Sequence, residues 1–464
     1  MKHRLPDLDV PENNPFEHDA LERKPLVVFL SGLIARLSGP FVLALDSPWG
    51  TGKTTLIKML QADLRLKDFE CVHFNAWQVD YVTDPLVALV AAVDDIRLSH
   101  KGAETKFRSH LKTARKITSA VAKRGVIAVA KAATLGGLEL DKEYEAVAAE
   151  VAGGLAGDAV DAFQKEKAAL KKFRVEVEKA VEQLSSAGRK STLVFFIDEL
   201  DRCRPTFAIE MLERIKHLFD LPNIVFVLSI DKTQLKASTA AVYGTGIDAQ
   251  EYLRRFIDLE FGIPHPKADA FTEALLTRFE LDAVFSQRTS RELQYDKKHF
   301  VEFFTAIANL FDLSLRSRER CITCLVIVLE QTPNNNYLDP ILMSFLLVLR
   351  IKDFDLFRSL VQGHTSSDDA IARTRSQQGG EQFVLSHLGR ILEANLILAD
   401  PNRERKEEKL KRIGEIAREE NNTSSEHLHA RELQEHFEWM RRGSGYFNLK
   451  AAAAKIDMVA MIRD

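Results

Sequence analysis

The sequence predicts an α/β protein: a parallel sheet between two layers of helices, with a helical insertion and a C-terminal helical domain. Short apolar runs such as FVLAL (41–45) and LVFFI (193–197) are bounded by polar or turn residues, as is typical of strands buried in parallel sheets. A glycine-rich turn at 47–52 joins the first of these strands to an amphipathic helical pattern. The α/β pattern stops near 100, where a charged helical pattern begins, and resumes near 190.

These patterns divide the chain into four predicted segments. The N-terminal segment and the first half of the α/β core occupy 1–99, and the second half of the core occupies 191–266. Between the two halves lies the helical insertion, 100–190. Beyond the core, 267–464 is predicted to form a helical domain that serves as a lid or contacts a partner. Predicted strands lie at 41–45, 71–74, 193–197, 224–228 and 256–264.

Composition limits the classes of protein. The 464 residues include 45% apolar residues, enough for the cores of two or three domains. The net charge of −3 gives no global attraction to nucleic acid or to anionic membranes. The N-terminus lacks an apolar signal segment, and the longest apolar runs are shorter than the roughly 18–20 residues that span a bilayer. We therefore expect a soluble, cytoplasmic protein.

The turn SPWGTGKTT (47–55) has the composition of a phosphate-binding loop between a strand and a helix. Successive backbone N–H groups and the helix dipole replace the water shell of a phosphate. Lys53 would reach the β- and γ-phosphates, Thr54 would bind Mg²⁺, and Thr55 would reach the α-phosphate. The residues expected to bind ATP in this loop are Trp49, Gly50, Thr51, Gly52, Lys53, Thr54 and Thr55.

Ser47 departs from the usual pattern, G-x-x-x-x-G-K-[ST], because it stands in the place of the first glycine. The phosphate contacts come from residues that follow this position. A serine is therefore compatible with binding if its φ angle is negative.

The segment FFIDELDRCRP (195–205) supplies the candidate carboxylates. Asp198 ends an apolar strand and would hold Mg²⁺ together with Thr54, since the carboxyl ends of parallel strands meet at one edge of the sheet. Glu199 follows and would orient or deprotonate the attacking water. Ordinary polarity at the end of a strand is the alternative interpretation.

Further candidates lie at the next strand end and in two arginine groups. Ser229 and Asp231 could sense the γ-phosphate, with strand-end capping as the alternative. Arg316 is the candidate for stabilising transition-state charge, beside its neighbour Arg318 and the pair at 254–255. A surface salt bridge is the alternative for each arginine.

Together these residues resemble the KAP family of P-loop NTPases, within the broader STAND and AAA+-like group. The matching features are NPFEHDALERKPL (14–26), PWGTGKTT (48–55), FNAWQVDYVTDPL (74–86) and IDELDRCRP (197–205). The resemblance implies a three-layer P-loop domain that binds and hydrolyses ATP with Mg²⁺ in a regulatory role. Family members include bacterial proteins tied to phage exclusion and animal membrane scaffolds. Two departures are Ser47 and Glu199, since aspartate is more usual at the latter position.

The insertion leaves several partners open. Many relatives carry transmembrane helices at this position, but here charged residues interrupt the apolar runs, and one lysine at mid-bilayer costs about 3 kcal/mol. We expect no transmembrane span. The basic run at 101–131 is compatible with nucleic acid, peripheral contact with a membrane, a partner protein or a solvated protrusion.

Three functions remain compatible with the sequence. The first is an ATP-driven conformational switch in bacterial antiviral defence, working with a protein partner or effector. The second is a scaffold that keeps nucleotide as a structural ligand without significant turnover. The third is an ATPase stimulated by nucleic acid. A homo-oligomer in which one subunit offers an arginine to the next is also compatible with the sequence.

Overall fold

A computed structural model describes 1–82, 84–96, 98, 101–134, 155–264, 269–289, 293–334, 336–419, 423–442 and 449–457, with only the backbone at 94, 119–134, 155–166, 269, 441 and 442. The chain forms two compact units. The α/β unit comprises Asp9–Asp19 and Arg23–His265. The C-terminal unit comprises Met1–Leu8, Ala20–Glu22 and Pro266–Asp464.

In the part of the chain that the structure describes, five parallel strands form the sheet of the α/β unit, in the order β2-β3-β4-β1-β5. The strands are β1 (Phe41–Asp46), β2 (Glu70–Asn75), β3 (Leu193–Asp198), β4 (Ile224–Ile230) and β5 (Leu259–Gly262). The neighbours β3 and β4 are buried along their whole length, which explains their continuous apolar runs. The polar residues near the ends of neighbouring strands are paired in register: Asn75 with Asp198, and Asp198 with Ser229.

Helices cover both faces of the sheet. They are α1 (Lys24–Ile34), α2 (Lys53–Arg65), α3 (Pro85–Asp94), α4 (Lys101–Thr134), α5 (Leu155–Ser186), α6 (Pro205–Leu218), α7 (Lys232–Tyr243) and α8 (Ala249–Leu253). Alternate strand residues enter two cores: Phe195 packs with α3 to α8, and Phe196 packs with α1 and α2. The predicted three-layer α/β fold is therefore confirmed.

The helices α4 and α5 pack against each other along their described side chains and form what we call the helical pair. Phe107 and Leu111 of α4 and Phe173 and Val177 of α5 are buried in the core that lies on one face of the sheet. The residues between the two helices lie outside the described part. Within the described residues, none of the helices is both long enough and apolar enough to cross a membrane.

The described part of the C-terminal unit is helical, as the sequence predicts for this region. Its helices are α9 (Asp269–Arg278), α10 (Asp282–Ser286), α11 (Asp296–Leu310), α12 (Leu315–Glu330), α13 (Pro340–Lys352), α14 (Phe354–Gln362), α15 (Ser367–Arg375), α16 (Gly380–Leu385), α17 (His387–Ala399), α18 (Arg403–Ala417), α19 (Ser425–Arg442) and α20 (Leu449–Ile456). Phenylalanines of α11 form the centre of its core, where Phe300 and Phe304 stack at 5.2 Å. This core is separate from those on the sheet.

Asp339 is a buried carboxyl at the N-cap of α13. Its Oδ1 accepts a hydrogen bond from the backbone N–H of Leu342 at 3.1 Å, and its φ angle is +47°. Burial raises the pKa of Asp339 to about 7, with the charge of Asp296 adding to the effect and backbone hydrogen bonds opposing it. The folded state therefore holds a proton that the unfolded chain releases between about pH 4 and pH 7.

Replacing Asp339 with asparagine is expected to stabilise the protein more at pH 8 than at pH 5. Asparagine keeps the acceptor for the cap and tolerates the left-handed backbone, but it removes the carboxylate that burial penalises. The raised pKa makes the free energy of unfolding of wild type fall as pH rises from about 4 to 7. The free energy of unfolding of the variant should therefore exceed that of wild type by about 1–3 kcal/mol at pH 8. Urea unfolding at both pH values measures the difference. An equal difference at both would contradict a buried, titrating Asp339.

Candidate functional site

The loop between β1 and α2 has a backbone conformation suited to binding an anion. Gly50 and Gly52 adopt φ angles of +81° and +83°, in the left-handed region that glycine enters without steric cost. Gly52 occupies the N-cap of α2 and has no side chain to occupy the first N–H groups of the helix. Thr54 and Thr55, partly exposed, lie in this first turn. The N-terminus of α2 therefore offers backbone donors and a favourable dipole to a phosphate.

Ser47 is buried and stabilises the loop. Its backbone N–H donates to the carbonyl oxygen of Ile230 at 3.1 Å, and its Oγ lies 2.8 Å from Thr51 Oγ1. Ser47 is not among the described residues with positive φ. The condition that the sequence set for a serine here is therefore met, and the hydroxyl adds a hydrogen bond that glycine could not make.

Lys53 turns back onto the loop that contains it. Its Nζ donates to the carbonyl oxygens of Ser47 and, at 3.3 Å, of Pro48. Burial lowers the pKa of Lys53, against the opposing charges of the aspartates at 201, 231, 198 and 46. The ammonium group must exchange these carbonyl oxygens for phosphate oxygens in order to bind a nucleotide.

Asp198 is buried at the end of β3. Its Oδ1 accepts from the backbone N–H of Glu199 at 2.9 Å, whereas its Oδ2 accepts no hydrogen bond of ordinary geometry from the described residues. Burial by itself would raise the pKa of Asp198. The side chains of His73, Ser229 and Thr54 stabilise the charged carboxylate by more than burial destabilises it, so the pKa is lowered. The carboxylate of Asp198 is therefore favoured in its ionised form, and its Oδ2 can still bind a ligand.

The donor set around Asp198 fits Mg²⁺. Thr54 and Ser229 interact with the Asp198 carboxylate, and His73 Nε2 lies 3.9 Å from its Oδ2. Neither Asp198 Oδ2 nor Ser229 Oγ has a hydrogen-bond partner of ordinary geometry among the described residues. Mg²⁺ prefers oxygen ligands and usually takes one or two from the protein, with water and phosphate oxygens completing its shell. Accordingly, the described residues contain no group of three or more His, Cys, Asp or Glu that would form an all-protein metal site.

Glu199 is held by two neighbours. Its backbone adopts φ +60°, a strained conformation for glutamate. Asn75 Nδ2 donates to Glu199 Oε2 at 3.1 Å, and Arg202 NH1 lies 2.5 Å from Glu199 Oε1. The Arg202 guanidinium also lies over the half-exposed ring of Trp77, 5.7 Å from its centroid. Both carboxylate oxygens of the candidate base are thus engaged in this conformation.

Trp49 links the phosphate loop to the segment that follows β3. Its Nε1 donates to Asp201 Oδ2, and its ring is half-exposed. Burial raises the pKa of Asp201, although the hydrogen bond from Trp49 and the charge of Lys53 oppose the shift. The indole N–H is therefore engaged in a hydrogen bond within the protein, and the exposed face of the Trp49 ring is accessible to a ligand.

The two candidates after β4 have different environments. Ser229 is fully buried and level with Asp198 in the sheet. Asp231 is the N-cap of α7, where its Oδ1 accepts from the backbone N–H groups of Thr233 and Gln234 at 3.1 and 3.4 Å. Asp231 thus caps α7, which is the alternative that the sequence raised for this strand end, and sensing by Ser229 or Asp231 stays a prediction.

The arginine candidates are dispersed. Arg254 pairs with Glu251 in its own helical turn, and Arg255 lies over the ring of Tyr252 at 5.9 Å. Arg318 is buried in the C-terminal unit and donates to the Leu313 carbonyl and to Asn309 Oδ1, a structural role. Arg316 is exposed on α12 of the same unit, and its catalytic role stays a prediction.

Four residues of this site were missed by the sequence interpretation: His73, Asn75, Asp201 and Arg202. The segments FNAW and IDELDR that contain three of them were recognised as family features, but no role was assigned to these side chains. The contacts of His73 and Asn75 depend on β2 lying beside β3, which the chain order alone does not specify. Asp201 contacts Trp49 across the sheet edge, and Arg202 pairs with Glu199 three residues before it.

The matches with known proteins include a family, a curated relative and a solved structure. The model of the "KAP family P-loop domain" matches residues 29–332. The "Phage T7 exclusion protein" of Escherichia coli (strain K12) is 25% identical over 239 residues, which cover 49% of this chain but only 30% of that relative. The solved structure of the Aeropyrum pernix ORC2 protein (ADPNP–ADP complexes) covers 100% of this chain and 97% of its own at 13% identity, with a TM-score of 0.35.

The family match includes the phosphate loop, Asp198 and Glu199, and spans about two thirds of the chain. The ORC2 likeness is too low in TM-score to bear on the fold, which rests on the sheet order and on the family match. The chain belongs to the KAP family of P-loop NTPase domains.

Proposed function

We propose that this protein binds ATP with Mg²⁺ at the carboxyl edge of the sheet and hydrolyses it to drive a regulatory conformational switch. The observation that carries the proposal is the convergence of three groups on this edge: an open helix N-terminus, an ionised Asp198 with a free oxygen, and Glu199. Calorimetric titration with ATP, in the presence and absence of Mg²⁺, tests the binding step. Absence of binding under both conditions would overturn the proposal.

The residues have distinct proposed roles in binding. The loop 49–52 and the first turn of α2 hold the phosphates through backbone N–H groups, and Lys53 neutralises their charge. Thr54 and Asp198 hold Mg²⁺, which when bound neutralises and orients phosphate oxygens. Ser229, buried beside Asp198, contacts the γ-phosphate or its metal ion.

Glu199 is the proposed general base, and Arg316 the proposed source of positive charge for the transition state. A base must direct a free lone pair of a carboxylate oxygen at water, and in this conformation Asn75 and Arg202 each occupy a lone-pair site on one Glu199 oxygen. Both contacts stabilise the charged carboxylate and restrict its direction, so we propose that fast turnover requires at least one of them to open. This requirement gives the regulatory step a physical basis, because a trigger that displaces Arg202 would start hydrolysis.

The same contacts favour a second candidate function, a nucleotide-bound scaffold without significant turnover. If Arg202 held Glu199 permanently, ATP would remain as a structural ligand. The two functions differ in what happens when the ion pair is removed.

Replacing Arg202 with alanine is expected to raise the basal rate of ATP hydrolysis by about three- to tenfold. The Glu199 carboxylate loses a partly buried ion pair worth about 1 kcal/mol and becomes free to orient water. Steady-state phosphate release measures the rate. Arg204→Ala is the matched control, because Arg204 is exposed and pairs with Asp80 rather than Glu199. A fall in rate in Arg202→Ala would instead mean that Arg202 positions Glu199 for catalysis.

We propose bacterial defence against phage as the biological setting. The support is the similarity to a protein named for exclusion of phage T7, over 30% of that relative's length. Plating of phage T7 on bacteria that express wild type or Glu199→Gln tests this setting. Equal plating on wild type, on the variant and on cells without the gene would overturn it.

A further inference from the structure

We propose that α4 of the helical pair binds the phosphate backbone of duplex DNA. The sequence of α4 contains nine lysines and arginines and one acid, Glu104, in a protein whose net charge is −3. The positive charge is therefore concentrated on one element. Two observations carry the proposal: the positions of these cations on the helix, and the partners with which the nearby acids already pair.

The described cations of α4 lie away from its buried face. At 3.6 residues per turn, the buried residues Phe107, Leu111 and Ala114 define one side of the helix. A second stripe, which we call the basic stripe, faces away from them and consists of exposed residues: Lys101, Lys112, Arg115 and Lys116. By the rise of an α-helix, the basic stripe extends over about 22 Å. The helix continues to Thr134, and its sequence there adds three cations and no acid.

Nearby acids in the described part of the chain do not pair with the three lysines of the basic stripe. Glu104 uses one oxygen for Arg108 at 2.7 Å and the other for the backbone N–H of Leu98 at 2.8 Å. On α5, Glu176 pairs with His110 at 2.7 Å. Among the described residues, no ion pair joins Lys101, Lys112 or Lys116 to an acid. These three ammonium groups thus retain their full attraction for an external polyanion.

The chemistry of the surface favours duplex DNA over other polyanions. A helix that lies on a bilayer needs an outward apolar face, but the apolar residues of α4 are buried in the protein. Binding of single strands relies on exposed aromatic rings that stack with bases, and Phe107, the aromatic residue of α4, is fully buried. Lysines along a straight helix suit the regular phosphate backbone of a duplex. An RNA duplex, which proteins recognise by shape and 2′-hydroxyls as well as by phosphates, is therefore a comparison in the test.

Fluorescence anisotropy of a labelled 30-base-pair duplex, titrated with the full-length protein, tests the proposal. Three phosphate contacts, from Lys101, Lys112 and Lys116, predict a slope of log affinity against log salt of about −3, or roughly 40-fold weaker binding at 200 mM than at 50 mM salt. The double variant Lys112→Gln/Lys116→Gln is expected to bind at least about 10-fold more weakly at 50 mM salt, with a slope shallower by about 2.

The matched control is Lys411→Gln/Arg412→Gln, which removes the same charge from exposed positions of α18 that pair with Glu415 and Glu426. This control is expected to bind duplex DNA like wild type. Circular dichroism and thermal melting establish that both variants remain folded. Lys53→Ala is also expected to bind like wild type, so failure of the ATP proposal and failure of the DNA proposal are distinguishable.

Several results would overturn the proposal. They are no binding of the duplex at 50 mM salt, equal binding by the α4 variant and the control, or tighter binding to a single strand or an RNA duplex of the same length. Tighter binding to vesicles rich in phosphatidylserine, lost in the α4 variant, would assign the basic stripe to a membrane instead.

Discussion

Glu199→Gln is expected to lower kcat for ATP hydrolysis by about 100-fold or more while leaving the affinity for ATP within about threefold. Glutamine keeps an oxygen that can accept from Asn75, but it loses the charge that pairs with Arg202 and cannot take a proton from water. Saturating phosphate-release assays give kcat, and a fluorescent ATP analogue gives affinity. The two measurements together separate chemistry from binding.

The control for this variant is Glu213→Gln, which changes a glutamate of α6 that accepts hydrogen bonds from the hydroxyls of Tyr243 and Tyr252. It should hydrolyse ATP like wild type. If Glu199→Gln also retained the wild-type kcat, another group would have to act as the base. Asp201 would then be the first alternative, because burial raises its pKa and it neighbours the same loop.

Lys53→Ala is expected to weaken ATP binding by about 10- to 100-fold and to reduce hydrolysis to background. A hydrogen bond to a charged group contributes about 1.5–3 kcal/mol, and no neighbouring cation of the loop replaces Lys53. The fold should tolerate the change. Within the part of the chain that the structure describes, Lys53 donates to the Ser47 and Pro48 carbonyls, which lie next to solvent-exposed loop residues.

Lys58→Ala, five residues further along the same helix, is the control for Lys53→Ala. Titration with the fluorescent analogue measures both affinities, and thermal melting measures stability. Unchanged affinity in Lys53→Ala would show that the nucleotide does not bind on this loop. Equal losses in both variants would indicate damage to α2 rather than loss of a phosphate contact.

The fold was predictable because its signals are local. Runs such as LVFFI are apolar along their whole length since β3 is covered on both faces, and helical patterns between them require parallel connections. The order of the strands was not predicted, because neighbours in the sheet are far apart in the chain. β1, for example, pairs with β4 and β5.

The candidate site was predictable to the extent that two local motifs contain it. The glycines, Lys53 and the carboxylates at 198 and 199 follow from strand ends and a helix start. The contact of Asn75 with Glu199 joins residues 124 apart and exists only because β2 lies beside β3. Likewise, the sequence left capping and sensing open for Asp231. The structure shows that Asp231 caps α7, and its sensing role stays a prediction.

Phosphate release by the wild-type protein, measured with Mg²⁺ and again with excess EDTA, tests the central claim most directly. The blank is Lys53→Ala, purified identically to expose any contaminating ATPase. We predict release that requires Mg²⁺ and is absent from the blank. Tight ATP binding by wild type with phosphate release no greater than in the blank would contradict the claim and identify the site as a nucleotide-bound scaffold.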